Sequence, residues 1–183
     1  MKRLSPHPAI ARALARLVLV ATTALSSTAA LSSEPALAPK ASWAGVVTYV
    51  VDGDTVYVRP LEGGEARNIR LLGMDAPEIC QPGGVAARQA LQERLLQRHV
   101  RVQSQRKDDY GRDLAKVYLG REDVGQWMVR HGQAWSYRFR QELGVYATEE
   151  QNAKVLGRGL FADPASEYPG DFRRRHGPCR SAP

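Results

Sequence analysis

From Val46 onward the chain runs in short apolar stretches broken by turn residues. Val46-Val47-Thr48-Tyr49-Val50-Val51 and Thr55-Val56-Tyr57-Val58 flank Asp52-Gly53, the pattern of a β-hairpin with Asp-Gly at its turn. Glu62-Gly63-Gly64-Glu65 supplies a second turn, and residues 66–74 make a third strand. Ala87, Ala90, Leu91, Leu95 and Leu96 then recur at helical spacing, predicting a helix over about residues 84–98. Val100-Arg101-Val102-Gln103-Ser104 alternates like a half-buried strand, residues 108–111 turn, and residues 114–119 make a fifth strand. A short helix over residues 124–131 stops at Gly132. Thr148-Glu149-Glu150-Gln151 has the form of a capping box and predicts a last helix ending near Gly157 or Gly159. Beyond Pro164 the pattern predicts irregular chain.

Three strands, a helix, two strands and two further helices define an α+β class. Five short antiparallel strands with a helix between the third and fourth suit a five-stranded Greek-key β-barrel of the OB type, with about three α-helices; the face of such a barrel commonly receives oligonucleotides.

The first 30 residues do not fit that domain. Lys2, Arg3, Arg12 and Arg16 precede the apolar run Leu17-Val18-Leu19-Val20-Ala21, which fades into Ser, Thr and Ala, the layout of a secretory signal peptide with small residues at Ser27-x-Ala29 and Thr28-x-Ala30 for cleavage. The run falls short of the roughly 20 residues needed to span a bilayer, so no stable membrane association is expected after cleavage. Residues 31–43 are then a linker, residues 44–163 the domain and residues 164–183 a basic tail. Export changes the charge: losing four basic residues and no acidic one leaves 22 Lys and Arg against 19 Asp and Glu, so the formal +7 becomes +3. A mildly basic protein is drawn to polyanions but lacks the strongly basic footprint of a dedicated nucleic-acid binder. Cys80 and Cys179 are the only cysteines. In an oxidising compartment the pair is expected to bridge, closing a loop of about 100 residues for at most ~4.7 kcal/mol in the chain-entropy model and bringing Arg173-Arg174-Arg175 close to Glu78. The expected location is the periplasm or the medium.

Three segments carry the candidate chemistry. In Asp52-Gly53-Asp54-Thr55 two carboxylates lie two positions apart, on one face of a strand; the segment lacks the twelfth-position acid of an EF-hand. Arg70-Leu71-Leu72-Gly73-Met74-Asp75-Ala76-Pro77-Glu78 places a cation, two carboxylates and a proline-stiffened bend within nine residues, and Asp75 and Glu78 are expected to project from that bend and not from a ladder. Asp108-Asp109-Tyr110-Gly111-Arg112 adds a second arginine at a turn. Guanidinium forks match phosphate geometry bidentately, and two of them beside carboxylates at strand ends can assemble metal, base and charge clamp for phosphodiester hydrolysis. Each segment alone is equally well explained as a turn or a solvated charge cluster.

In this order, and separated by a helix, Asp-Gly-Asp-Thr, Arg-Leu-Leu-x-x-Asp-x-Pro-Glu and Asp-x-Tyr-Gly-Arg resemble the signature segments of the staphylococcal nuclease (thermonuclease) family, over residues 46–161. The resemblance implies a Ca²⁺-dependent nuclease acting on single-stranded or locally opened DNA and RNA. It implies Asp54 and Asp75 as carboxylate ligands with the backbone carbonyl of Ala76, where the family often has threonine. Glu78 falls at the glutamate usually assigned to activate water, Arg70 and Arg112 at the arginines that hold the scissile phosphate, and Tyr110 at a tyrosine near that phosphate. Asp52 stands behind the ligands. Asp109 replaces a basic residue of the best-known member. Trp135, Tyr137 and Phe139 alternate at strand spacing; core packing accounts for them as well as base stacking does, and the expected site omits them.

Two other readings fit the chain less well. A nuclease-like module that only binds nucleic acid or protein should have lost an arginine, the glutamate or a metal aspartate, and this chain has them all. A cell-surface structural protein with a calcium site has only the signal peptide in its favour. A monomer is expected.

Overall fold

The computed structural model describes residues 42–140, 142–177 and 179. The expected signal peptide lies outside the described residues. Strand β1 (Ser42–Val50) takes in the last positions assigned to the linker and pairs antiparallel with β2 (Thr55–Pro60) on one side and β5 (His99–Lys107) on the other. β2 pairs with β3 (Arg67–Leu71), and β5 with β6 (Asp113–Leu119). A parallel pairing of β3 with β6 closes the circle β1-β2-β3-β6-β5, which is the five-stranded OB-type barrel.

Alternation fills the barrel. Val47, Val56, Val58, Ile69, Val102 and Ala115 have no solvent exposure, so the β-branched residues on one face of each strand meet at the axis. Helix α1 (Gly84–Leu95) buries Ala87, Leu91 and Leu95, the i, i+4, i+8 stripe read from the sequence, against the same core. It ends three residues earlier than expected, because Gln97 adopts a left-handed φ of 61° and its amide donates to the Val47 carbonyl. Helix α2 (Val124–Arg130) is capped by Asp123, whose carboxylate accepts the Gly125 and Gln126 amides, and adds Val124, Met128 and Val129 to the core. β7 (Glu122–Asp123) is a two-residue extension beside β6.

Several expectations need correction. The third strand does not run to Met74: it stops at Leu71, and Met74–Asp75 forms a separate strand, β4, paired with β8 (Trp135–Ser136). Asp75 therefore sits in a ladder, opposite Trp135, and not on a free bend. The capping box does not form. Helix α3 spans Ala147–Val155, with Thr148 already inside it. Tyr146 is the N-terminal boundary because its buried ring must bring the hydroxyl to Asp123, to which it donates at 2.9 Å. The chain after Pro164 is not irregular throughout. Following a 3₁₀ turn at Gly159–Ala162, a fourth helix, α4, covers Pro169–His176, opened by proline at its first position. Among the described residues no helix is long and apolar enough to cross a membrane.

Candidate active site

The β1–β2 turn and the end of β3 create the site. Thr55 is paired with Arg70 across the β2–β3 ladder, and the Leu71 amide donates to the Asp54 carbonyl at 2.8 Å. With this register the Arg70 guanidinium meets Asp54, Nη1 donating to Oδ1 at 2.6 Å. Its other nitrogen, Nη2, donates to Asp75 Oδ1 at 2.8 Å, so a single arginine bridges both aspartates. Asp54 is further held by the Thr55 hydroxyl at 2.9 Å and by the Ala76 amide at 3.1 Å. Gly53 is required by packing: a Cβ there would lie 2.6 Å from the Ala76 Cβ and 2.8 Å from the Ala87 Cβ, which presses the aspartate turn onto α1.

Asp52 shapes the turn, its carboxylate accepting the Asp54 amide at 3.0 Å. Burial and the neighbouring Asp54 charge push its carboxyl up to about 7. Burial also raises Asp75, against the opposing pull of the Arg173 hydrogen bonds. Arg70 is raised although burial works the other way, because Asp54 and Asp75 hold its charge.

Glu78 stands on a loop fastened at several points. Its amide donates to Gln81 Oε1, its carbonyl accepts from the Gln81 amide, and Gly84 lets the start of α1 press against that carbonyl, where any Cβ would collide. Arg112 comes from the turn that opens β6, adjacent to β3. There Asp108 accepts the Tyr110 amide at 3.0 Å, the Arg112 amide at 2.9 Å and Arg112 Nε at 2.7 Å. Tyr110, 85% exposed, places its ring 5.3 Å from the Arg112 guanidinium.

Asp52, Asp54, Arg70, Ala76, Glu78, Tyr110 and Arg112 all line one cleft of about 710 Å³. Asp75 does not reach it; the residue has no exposed surface and lies beneath two arginines. The second of these, Arg173 on α4, is absent from the expected site residues. Its Nη2 donates to Asp75 Oδ2 at 2.8 Å, and its Nη1 to Asp75 Oδ1 at 3.1 Å and to Glu78 Oε1 at 2.9 Å. Those carboxylates raise it further, although burial opposes them. Tyr137 also lines the cleft, whereas Trp135 is core, edge-on to Phe161 and Tyr168, and Phe139 is exposed elsewhere. The alternation of the three aromatics gave no means of telling which faced the cleft. The expected Cys80–Cys179 disulfide is present and ties the end of α4 to the Glu78 loop.

Among the described residues no three His, Cys, Asp or Glu side chains converge as a metal cluster. The donor set still fits a hard divalent cation. Two buried carboxylates share one site, a positive group is needed between them, and the Arg70 guanidinium stands in for it. Ala76 faces Asp54 through its amide, which leaves a carbonyl ligand at that position implied by the family resemblance alone.

The chain is a closed OB barrel with a cleft of arginines and carboxylates on its wall, a fold class that commonly receives oligonucleotides or oligosaccharides. The model of the staphylococcal nuclease homologue family matches residues 68–163. An uncharacterized endonuclease of Haemophilus influenzae is 33% identical over 129 residues, 70% of this chain and 72% of the relative. A micrococcal nuclease of Shigella flexneri is 32% identical over 146 residues, 73% of this chain and 82% of the relative, and protein ParB of Escherichia coli is 36% identical over 147 residues with the same coverage. The chain belongs to the staphylococcal nuclease family. The match to the family model begins after Asp54 and ends before Arg173 and Cys179.

Proposed function

We propose that this protein is an exported, Ca²⁺-dependent nuclease that hydrolyses phosphodiester bonds of DNA or RNA as a monomer in the periplasm or the medium. Family membership and relatives named as nucleases support the hydrolytic activity. The observation that carries the site is Arg70, in the cleft that also holds Glu78 and Arg112, bridging Asp54 to the buried Asp75.

Asp54, Asp75 and the Ala76 carbonyl would hold the ion, which when bound supplies Lewis-acid polarisation of a phosphate oxygen. Glu78 takes a proton from the attacking water as the water oxygen bonds to phosphorus; the bond from phosphorus to the leaving ester oxygen breaks, and that oxygen takes a proton from solvent. Arg70 and Arg112 neutralise the charge that builds on the phosphoryl oxygens, binding the transition state better than the ground state. Tyr110 stands beside Arg112 at the mouth of the cleft, where unpaired strands have better access than a stacked duplex.

The test is degradation of single-stranded DNA and of RNA by the disulfide-bonded protein, with Ca²⁺ and with excess chelator, beside Arg70→Ala. Cleavage that needs both calcium and Arg70 supports the proposal. A folded, calcium-loaded protein that binds either polymer without cutting it would instead be a binding module.

A further inference from the structure

Arg173 lies 95 residues from Glu78 in sequence, yet its guanidinium covers both oxygens of Asp75 and one of Glu78. With Arg70 on Asp54 Oδ1 and Asp75 Oδ1, and the Ala76 amide on Asp54 Oδ2, every oxygen of the two aspartates accepts a hydrogen bond from the protein. Asp75 has no exposed surface because of this cover.

The segment that carries Arg173 is fastened at both ends to the Glu78 loop. Before α4, the Glu167 carbonyl accepts from Gln81 Nε2 at 2.8 Å; after it, Cys179 is bonded to Cys80, and the Cys80 amide donates to Cys179 Sγ at 3.0 Å. Glu167 and Cys179 lie beyond the stretch matched by the family model, and Cys80 and Gln81 within it. A guanidinium and a divalent cation cannot use the same carboxylate lone pairs, and as like charges they repel each other at that distance.

We propose that Arg173 is a built-in competitor of the divalent cation: its guanidinium occupies Asp75 when no ion is held, ion uptake requires its withdrawal, and the Cys80–Cys179 tether keeps it poised to return. The affinity of the site for its metal is thus set by a residue outside the barrel. The inference rests on Asp54 and Asp75 being the ligands.

Calorimetric titration of the oxidised full chain with Ca²⁺, beside Arg173→Gln, tests it, with melting followed in chelator and in calcium. Arg173→Gln is expected to bind Ca²⁺ about 5–150-fold more tightly, taking the usual size of a coupling free energy between two binding events as the scale. It should also melt lower than wild type in chelator, where Asp75 loses its cover, and gain more from calcium. Replacing both cysteines, Cys80→Ser with Cys179→Ser, should shift the affinity the same way by less. If Arg173→Gln does not fold, Arg173→Lys takes its place: a point charge cannot span both oxygens, and tighter binding is again expected. Calcium binding by wild type that is equal or stronger than that of the variant overturns the inference and leaves the proposed function standing. Folded proteins that bind no calcium, wild type and variant alike, refute the ligand assignment itself and the inference with it.

Discussion

Thr55 and Arg70 face each other across the β2–β3 ladder, and this single register places the Arg70 guanidinium between Asp54 and Asp75. The arginine therefore stabilises the resting site, beside the role proposed for it on the substrate phosphate. Arg70→Ala is expected to lower the rate about 10²–10³-fold, by analogy with the loss of one oxyanion donor. It should also destabilise the metal-free protein by ~3–5 kcal/mol, the cost of leaving a buried charge without its partner. Thermal melting in chelator checks the second effect, and calcium should recover part of it. A variant as stable as wild type would mean that Asp54 and Asp75 are not held together by Arg70.

Glu78 keeps one carboxylate oxygen in contact with Arg173 while its loop is fixed by Gln81 and Gly84. Because the backbone holds the loop, Glu78→Gln should leave the loop in place while removing the proton acceptor and the charge that pairs with Arg173. The expected signature is a kcat reduced about 10²–10⁴-fold, the range general-base catalysis supplies, with KM little changed. Steady-state kinetics on a short single-stranded oligonucleotide separates the two. An unchanged kcat would take the role of base away from Glu78.

Much of this fold was legible because short-range physics dominates it. The β1–β2 hairpin follows from β-branched alternation around Asp-Gly, and α1 from its Ala87, Leu91, Leu95 stripe. The three segments that carried the candidate chemistry converge: Asp54, Arg70, Glu78 and Arg112 line one cleft, and Asp75 is bonded to Arg70 beneath it. What the spacing could not carry is long-range. Arg173 sits in a run of three arginines whose members are locally equivalent; only the docking of α4 decides that Arg173 turns to Asp75 while Arg174 pairs with Asp171 and Arg175 with Glu167. The capping-box reading of residues 148–151 failed for a similar reason. Tyr146, held through its hydroxyl by Asp123, bounds α3, so a tertiary contact puts Thr148 inside the helix and takes from it the N-cap position that local rules assigned to it.

Asp108 supplies a pH prediction. Its carboxyl is held below the ordinary 3.8: burial pushes it up, but the hydrogen bonds from the Arg112 side chain and amide, and the Arg112 charge, outweigh that push. A group lowered in the folded state stabilises fully above its unfolded value, so this contribution is constant from neutral pH down to about 4 and is lost as pH falls through the lower folded value. The pair is close to solvent, so the effect is expected below ~1 kcal/mol. Asp108→Asn should flatten this acid limb of the stability curve and, by freeing Arg112, raise KM for the nucleic acid at neutral pH. Urea unfolding from pH 2 to 7 checks the first; an unchanged acid limb would detach Asp108 from the stability of the loop.

Gly53 links the aspartate turn to the helix beneath it. An added Cβ would stand 2.6 Å from the Ala76 Cβ and 2.8 Å from the Ala87 Cβ, both well inside van der Waals contact, and neither neighbour can rotate away because each is a single methyl on fixed backbone. Gly53→Ala must therefore push Ala76 off Asp54, breaking the 3.1 Å bond from the Ala76 amide, or lift the turn from α1. Overpacking of this kind costs about 1–3 kcal/mol. Both relaxations move the proposed ligands Asp54, Asp75 and Ala76 relative to one another, so calcium affinity should fall along with the urea midpoint. A stability loss with unchanged calcium binding would show that the turn yields as a rigid unit and that Ala76 contributes nothing to holding the ion.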